Sequence, residues 1–308
     1  NVDPIKLRGN QTILFEAGTI VRATRGEAYA HLGSSLFRVI HIDNLTLWGP
    51  GATLAMNYHD YISGEHRHLV HIAGCRNITI EGLRLMGSGG DGVYIGRGIE
   101  RLDGPTHCEN ITLRNLIIHQ HRRQGVSVIS VKNFLMENCT VFDIKGTAPQ
   151  GGIDFEPNHP DEFIQNCVVR NSTFTDLGGS VFAFVPKYDE TSAPFSITFE
   201  NVFVSSPNRS VFVAGPCRDG VRGELTLRNS VIEGRAGSLL LIMGWSADGP
   251  KLTVENTRLV VLDSERPVGN PPVGFRSNAA VKTDYLGNVE FRNLVIETPH
   301  DLPVVGFD

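Results

Sequence analysis

No apolar run in this 308-residue sequence is long enough to cross a bilayer. The longest, such as Leu239 to Met243, fall far short of the roughly 20 residues a spanning helix needs. No excess of basic residues appears either: the formal charge is -5 and charged residues make up 20% of the chain. A basic field for nucleic acid or an anionic membrane surface is thereby excluded, so neither is an expected partner. Convincing amphipathic helices are also missing. The five cysteines, Cys75, Cys108, Cys139, Cys167 and Cys217, are odd in number and lack zinc spacing, which argues against a metal knuckle or a disulfide scaffold. The chain opens Asn1-Val2-Asp3 without a methionine or an apolar leader, and a processed or trimmed start is the corresponding expectation.

What is abundant is turn chemistry. Thirty-three glycines and sixteen prolines, with few aromatics, describe many short strands joined by tight turns. One template recurs, an asparagine followed by alternating aliphatic residues, a charge, and often a second asparagine. It appears as NITIEGLRL from Asn77, NITLRNLII from Asn110, NFLMENCTV from Asn133 and NCVVRNSTF from Asn166. It continues as SITFENVFV from Ser196, ELTLRNSVI from Glu224, KLTVENTRL from Lys251 and NVEFRNLVI from Asn288, with NLTLWGPGATL from Asn44 upstream. The starts from Asn77 onward are offset by 33, 23, 33, 30, 28, 27 and 37 residues, so the connecting loops differ in length.

Alternation makes each copy a half-buried strand, with Ile78, Ile80, Leu83 and Leu85 inward and Thr79 outward. A strand this short buries nothing alone. Stacking copy on copy buries the inward rows and pairs each backbone with its neighbours, the logic of a solenoid. The predicted fold is all-β: a single-stranded parallel β-helix of about nine to eleven coils, one domain over residues 1–308. Asn44, Asn77, Asn110, Asn133 and Asn166 form one asparagine column; Asn115, Asn138, Asn171, Asn201, Asn229, Asn256 and Asn293 form a second. Asparagine tolerates left-handed turns, and stacked amides hydrogen-bond along a ladder. Beside the second column runs Glu81, Arg114, Glu137, Arg170, Glu200, Arg228, Glu255, Arg292, alternating in sign at every coil. A slipped register would bring like charges together, so this column is read as structural. Cys75 and Cys108 share a repeat position, leaving either a disulfide or stacked thiols; Cys139 and Cys167 fall inward.

These ladders and short strands resemble the pectate-lyase-like superfamily of right-handed parallel β-helices, over essentially residues 1 to 300. GGDGVYIG, RRQGVSVIS and GGIDFEPN are also similar to a group of bacterial β-helix proteins taken to act on carbohydrate. That superfamily holds polysaccharide lyases, glycoside hydrolases, uronate epimerases and phage tailspike depolymerases. The resemblance implies an oligo- or polysaccharide partner and a secreted or periplasmic location.

A second strand per coil aligns as HLVHI from His68, DGVYI from Asp91, QGVSV from Gln124, GGIDFE from Gly151, GSVFAF from Gly179 and SVFVA from Ser210. Its expected outward column is His71, Tyr94, Ser127, Asp154, Phe182, Phe212 and Leu240, beside a column of His68, Asp91, Gln124 and Gly151. Asp154 and Glu156, two apart, project to one side. Paired carboxylates serve glycoside hydrolysis, one protonating the leaving oxygen and the other attacking or activating water. Asp91 is either a third acid or a turn cap in GSGGDGVYIG, where no helix follows to bind phosphate. Gly151 and Gly152 would let a sugar approach the backbone. His66, His68, Tyr94, Arg122, Arg123, Gln124, His159 and Lys187 are the expected sugar-binding residues, within two stretches, 60–71 and 119–124, that bring cations to the groove, and the loops beyond. In a lyase or epimerase His68, Tyr94, Arg123 or Lys187 would instead handle the proton at C5 of a uronate. Neither chemistry requires a cofactor, and a noncatalytic carbohydrate-binding or tailspike-like solenoid is the third alternative. A calcium ion held by Asp154 and Glu156, or simply a solvated acidic strand, is the competing use of the pair. Zinc is unsupported, since His66 and His68 share a side with no third ligand. Trp48 and Trp245 either stack on sugar or cap coils.

Overall fold

The computed structural model describes all residues except 63–64, 99–105, 207–210, 236, 263–269, 279–284, 300–302 and 308. Ser210, the first residue of one expected strand, therefore lies outside the described residues. Most coils give a longer and a shorter strand to one sheet, such as Arg76–Glu81 and Arg84–Met86, merged into single strands at Lys251–Val261 and Val289–Glu297, and a third, such as Val93–Gly96, to a sheet of eleven strands among the described residues. Every pairing of named strands among the described residues is parallel, an isolated antiparallel bridge joins Ser246 to Leu286, and one continuous apolar core fills the interior. The described residues contain no helix long and apolar enough to cross a membrane.

The bends follow from the asparagines. Asn77, Asn110, Asn133 and Asn166 adopt φ between 52° and 59°, and each donates its side-chain amide to the asparagine one coil back at 2.8–2.9 Å. The ladder extends one step below Asn44, to Asn10, and gives way above Asn166 to Ser196, whose hydroxyl accepts the Asn166 backbone N–H. Asn115, Asn138, Asn171, Asn201, Asn229, Asn256 and Asn293 likewise have positive φ. Gly82 takes the equivalent bend at φ 77°, where a β-carbon would come within 3.0 Å of Pro50. The alternating charges are in register at every step, with ion pairs Arg114–Glu137 at 3.2 Å, Arg170–Glu137 at 2.6 Å and Arg228–Glu200 at 3.2 Å. Glu137→Arg would line up three arginines. We expect it to cost about 1–3 kcal/mol, with part of the loss in melting temperature recovered at high salt.

Two open alternatives are decided, for the cysteines and the tryptophans, and one expectation, the outward column, is corrected. All five cysteines are free and buried: Cys75 Sγ donates to the Val39 carbonyl and Cys108 Sγ to that of Gly96, each thiol satisfied without a bridge. The outward column beyond Asp154 is Ala183, Val213 and Leu241, whereas Phe182, Phe212 and Leu240 point inward. Val181, Phe182, Ala183 and Phe184 are apolar on both sides, so the period of two that fixes phase is invisible there, and a one-residue slip exchanges the faces. Trp245 is fully buried, donates Nε1–H to the Pro250 carbonyl at 2.8 Å and packs against Phe184 and Phe195. Trp48 is exposed and lies opposite Glu81 at the foot of the charge column.

Candidate functional site

Strands Val70–Ala73, Val93–Gly96, Gln124–Val128 and Gly151–Phe155 lie side by side in the eleven-stranded sheet. Their register sets His71, Tyr94, Ser127 and Asp154 in one outward row. A neighbouring row carries His68, Asp91 and Gln124, tied by Leu69 N–H to the Asp91 carbonyl and Gly92 N–H to that of Gln124. Residues from four coils thus meet although nearly 90 positions separate His68 from Glu156.

At the centre is Arg123. Its Nη1 lies 3.4 Å from both Asp91 carboxylate oxygens and 3.4 Å from Ser127 Oγ, its Nη2 3.7 Å from Glu156, and its Nε 3.6 Å from Glu65. Asp91 is fully buried and also faces His68 Nδ1 at 3.2 Å. Burial works against its ionised form, yet the opposing fields of His68 and Arg123 hold its carboxyl below the usual range. Asp154 behaves in the opposite way: burial first, then the Glu156 charge, pushes it up to about 8 despite Arg123. Gln124 donates Nε2–H to Asp154 Oδ2 at 2.7 Å while its Oε1 accepts the Gly151 N–H at 2.8 Å, which fixes the amide orientation. Asp154 Oδ1 is buried with no hydrogen-bond partner.

The end of the row away from Asp154 is aromatic. His68 stacks on Tyr94 at 4.6 Å, and His71 meets both rings edge-on at 5.5 and 5.1 Å. Burial lowers His71 to about 4, with the His68 charge adding to the effect, and burial raises Tyr94 to about 12. Near neutrality the first is an uncharged imidazole and the second an intact phenol. Gly96 makes room for this arrangement, because a β-carbon there would lie 2.3 Å from Tyr94 Cε1. Gly96→Ala should displace the tyrosine ring, read as a change in near-UV circular dichroism, while costing only about 1 kcal/mol in denaturant unfolding.

Not every expected residue converges. His66 is exposed and touches the cluster only through an edge contact with His68 at 6.0 Å. Arg122 turns aside to stack over Tyr58 at 5.2 Å. His121 is wholly buried and uncharged, with burial taking it to about 3; its Nδ1 faces Ser88 Oγ at 2.7 Å and its Nε2 the Leu85 carbonyl at 3.1 Å. His119 stacks on Phe142 in the other sheet. Neither therefore brings a cation to the groove. His159 and Lys187 line an adjoining open cleft of about 560 Å3 with Tyr94, Arg97, Asn158 and Glu162. Lys187 Nζ is fixed there by Asn158 Oδ1 at 2.9 Å. The glycines serve packing: a β-carbon at Gly152 would strike Phe174 and the Val181 carbonyl, and one at Gly151 would strike Gln124 Oε1 and the Ser180 carbonyl.

Glu65 was missed. Tyr61 and the backbone of Glu65 and Arg67 lie directly on Gly89 and Gly90, whose β-carbons would overlap Tyr61 and the Glu65 carbonyl, and Arg67 is anchored through the Tyr29 and Ala30 carbonyls. The glycine pair before Asp91 was a readable sign of such a close approach. Which segment makes the approach was not readable. Among the described residues no three His, Cys, Asp or Glu side chains converge as metal ligands.

Comparison with known proteins agrees with the architecture. Pectate lyase Pel9A superposes with a TM-score of 0.59 at 15% identity, covering 92% of this chain and 70% of its own. Endo-xylogalacturonan hydrolase from Aspergillus tubingensis gives 0.57 at 13% identity, covering 96% and 85%. The A-module of mannuronan C-5 epimerase AlgE4 from Azotobacter vinelandii gives 0.55 at 15%, covering 100% and 87%. At such identities the likeness concerns the fold. Among sequences, the uncharacterized protein YclG of Bacillus subtilis is 27% identical over 158 residues, 48% of this chain and 26% of YclG. The SPbeta prophage-derived uncharacterized protein YorA of the same organism is 24% identical over 190 residues, 54% of this chain and 32% of YorA. This chain therefore spans only about a quarter to a third of those relatives. The model of the family described as "Right handed beta helix region" matches residues 39–259, and with parallel coils, asparagine ladders and a single interior core the chain belongs to that right-handed β-helix family.

Proposed function

We propose that this protein is a carbohydrate-active enzyme that hydrolyses glycosidic bonds in an oligo- or polysaccharide, acting outside the cytoplasm and without a required cofactor. One observation carries the reading: two carboxyls two residues apart sit in environments that separate their roles. Asp154 is buried, raised to about 8 and so protonated near neutrality, beside the part-exposed Glu156. A buried, protonated acid with a second carboxyl group two residues away is the arrangement glycoside hydrolysis uses, one group serving the leaving oxygen and the other water or the anomeric carbon. Gln124 orients the acid, and Asp91, locked between His68 and Arg123, supplies a fixed negative charge beneath a developing oxocarbenium ion. Tyr94, with His68 behind it, offers a ring face to a sugar, while His66, His159 and Lys187 border the track.

A second reading rests on His71 and Tyr94. A neutral imidazole edge-on to an intact phenol is an acid–base couple suited to exchanging the proton at C5 of a uronate, as a lyase or epimerase requires. Incubation with neutral and uronate-containing glycans separates the two. New reducing ends without an unsaturated chromophore, lost in Asp154→Asn, are the expected result. An unsaturated or epimerised product that survives in Asp154→Asn but not in His71→Ala would overturn hydrolysis. Binding without turnover by the wild type would overturn both.

A further inference from the structure

Glu65, Asp91, Asp154 and Glu156 put four carboxyls within the field of one side chain. Clusters of this kind ordinarily call for a cation, because unscreened like charges at such range repel and drive protons onto one another. We infer that Arg123 is the resident cation of this site, its guanidinium taking the place a divalent metal would otherwise occupy and fixing Glu156, Asp91 and the Glu65 loop relative to one another. The inference goes beyond the hydrolase reading and holds for either chemistry.

Three observations carry it. Each of three nitrogens faces a different carboxylate: Nε faces Glu65 at 3.6 Å, Nη1 faces Asp91 at 3.4 Å and Nη2 faces Glu156 at 3.7 Å. A flat guanidinium with its donors spread around the rim is the shape that serves three such partners, which a lysine ammonium is not. Second, the residue is built into the stack. Its N–H donates to the Gly90 carbonyl at 3.1 Å, its own carbonyl accepts the Gly151 N–H at 3.2 Å, and its side chain is only 16% exposed. Third, with the arginine in place no three His, Cys, Asp or Glu side chains among the described residues converge as metal ligands. Here the guanidinium itself fills the centre, and Asp91 is further held by His68. Arg123 is thus a positioning residue: its donors are turned to protein carboxylates, which takes it off the roster of sugar-binding cations.

Terbium(III) luminescence sensitised by nearby Tyr94, together with thermal melts in calcium chloride and in EDTA, tests the assignment. Wild-type protein is expected to melt at the same temperature in both buffers and to give no terbium signal that calcium displaces. Arg123→Ala should melt several degrees lower in EDTA, recover in millimolar calcium, and acquire a saturable terbium signal that calcium competes away and Glu156→Gln added to it abolishes. Arg123→Lys should keep part of the lost stability and gain no metal dependence. Should Arg123→Ala fail to fold in either buffer, Arg123→Gln provides the same readings. A calcium-displaceable signal in the wild type that disappears in Glu156→Gln, or an arginine-less variant with no gain in metal binding, would overturn the proposal. None of these readings needs a substrate, so failure here is distinct from failure of the hydrolase assay.

Discussion

Asp154→Asn should abolish turnover and, in the same protein, raise the melting temperature at neutral pH. General acid catalysis contributes about 10²–10⁴-fold, and an amide retains the shape of the acid without its proton, so kcat should fall by about that factor with KM little changed. The stability gain follows from linkage. The folded-state pKa of about 8 lies above the ordinary aspartate value of 3.8, so the native state holds this proton more tightly than the unfolded chain does. Its contribution is complete below about pH 4 and is lost as pH rises through about 8, at up to roughly 1.4 kcal/mol per pH unit. An asparagine has no such proton to lose. The variant should therefore gain on the wild type progressively between those limits, by several degrees in a pH 8 melt, and match it near pH 4. Wild-type activity should decline on the same alkaline side as the acid ionises. Melting curves that stay parallel at all pH values would mean that Asp154 is not the strained acid described here.

Phe182→Ala is expected to cause the largest loss of stability, about 3–5 kcal/mol. Phe182 is 1% exposed and its ring lies 4.4 Å from Phe199, 4.7 Å from Phe174 and 5.7 Å from Phe212, at the centre of a stack of rings from successive coils. Truncation opens a cavity whose walls, held by ladder hydrogen bonds on both sides, relax little, so the melting temperature should drop on the order of 10 °C. The same substitution decides the strand's phase. A phenylalanine on the outer face would cost well under about 1 kcal/mol to truncate, and a drop that small in denaturant unfolding would restore the register expected from the sequence.

Much of the solenoid was legible because its rules are local. Period-two alternation marks the strands, asparagine at positive φ marks the bends, and charge alternation marks the register, so each coil announces itself within about ten residues. The repeat offsets from Asn77 to Asn288 match the observed pairing, and every step of the Glu81-to-Arg292 column is in register. Legibility ended where a segment was apolar on both faces, as at 181–184. The site was legible in part. His68, Asp91, Tyr94, Arg123, Gln124, Asp154 and Glu156 do share one wall. Arg122 and His121 were read as cations of that wall, yet one turns to Tyr58 and the other is swallowed by the Ser88 turn. Rotamer and burial depend on what the adjacent coil presents, and loop length varies between coils, so neighbouring residues in one short loop meet unlike surroundings.

By itself the sequence determined that the chain stacks as a parallel solenoid and which of its strands face one another, since hydrophobic period, turn residues and charge alternation act over a few positions and repeat. Tertiary structure alone decided that Arg123 lies amid four carboxyls, that Asp154 is buried enough to keep its proton, and that Glu65 folds over from a loop to join them. Those outcomes are set by desolvation and by fields from side chains on other coils, quantities that exist only once the stack has formed.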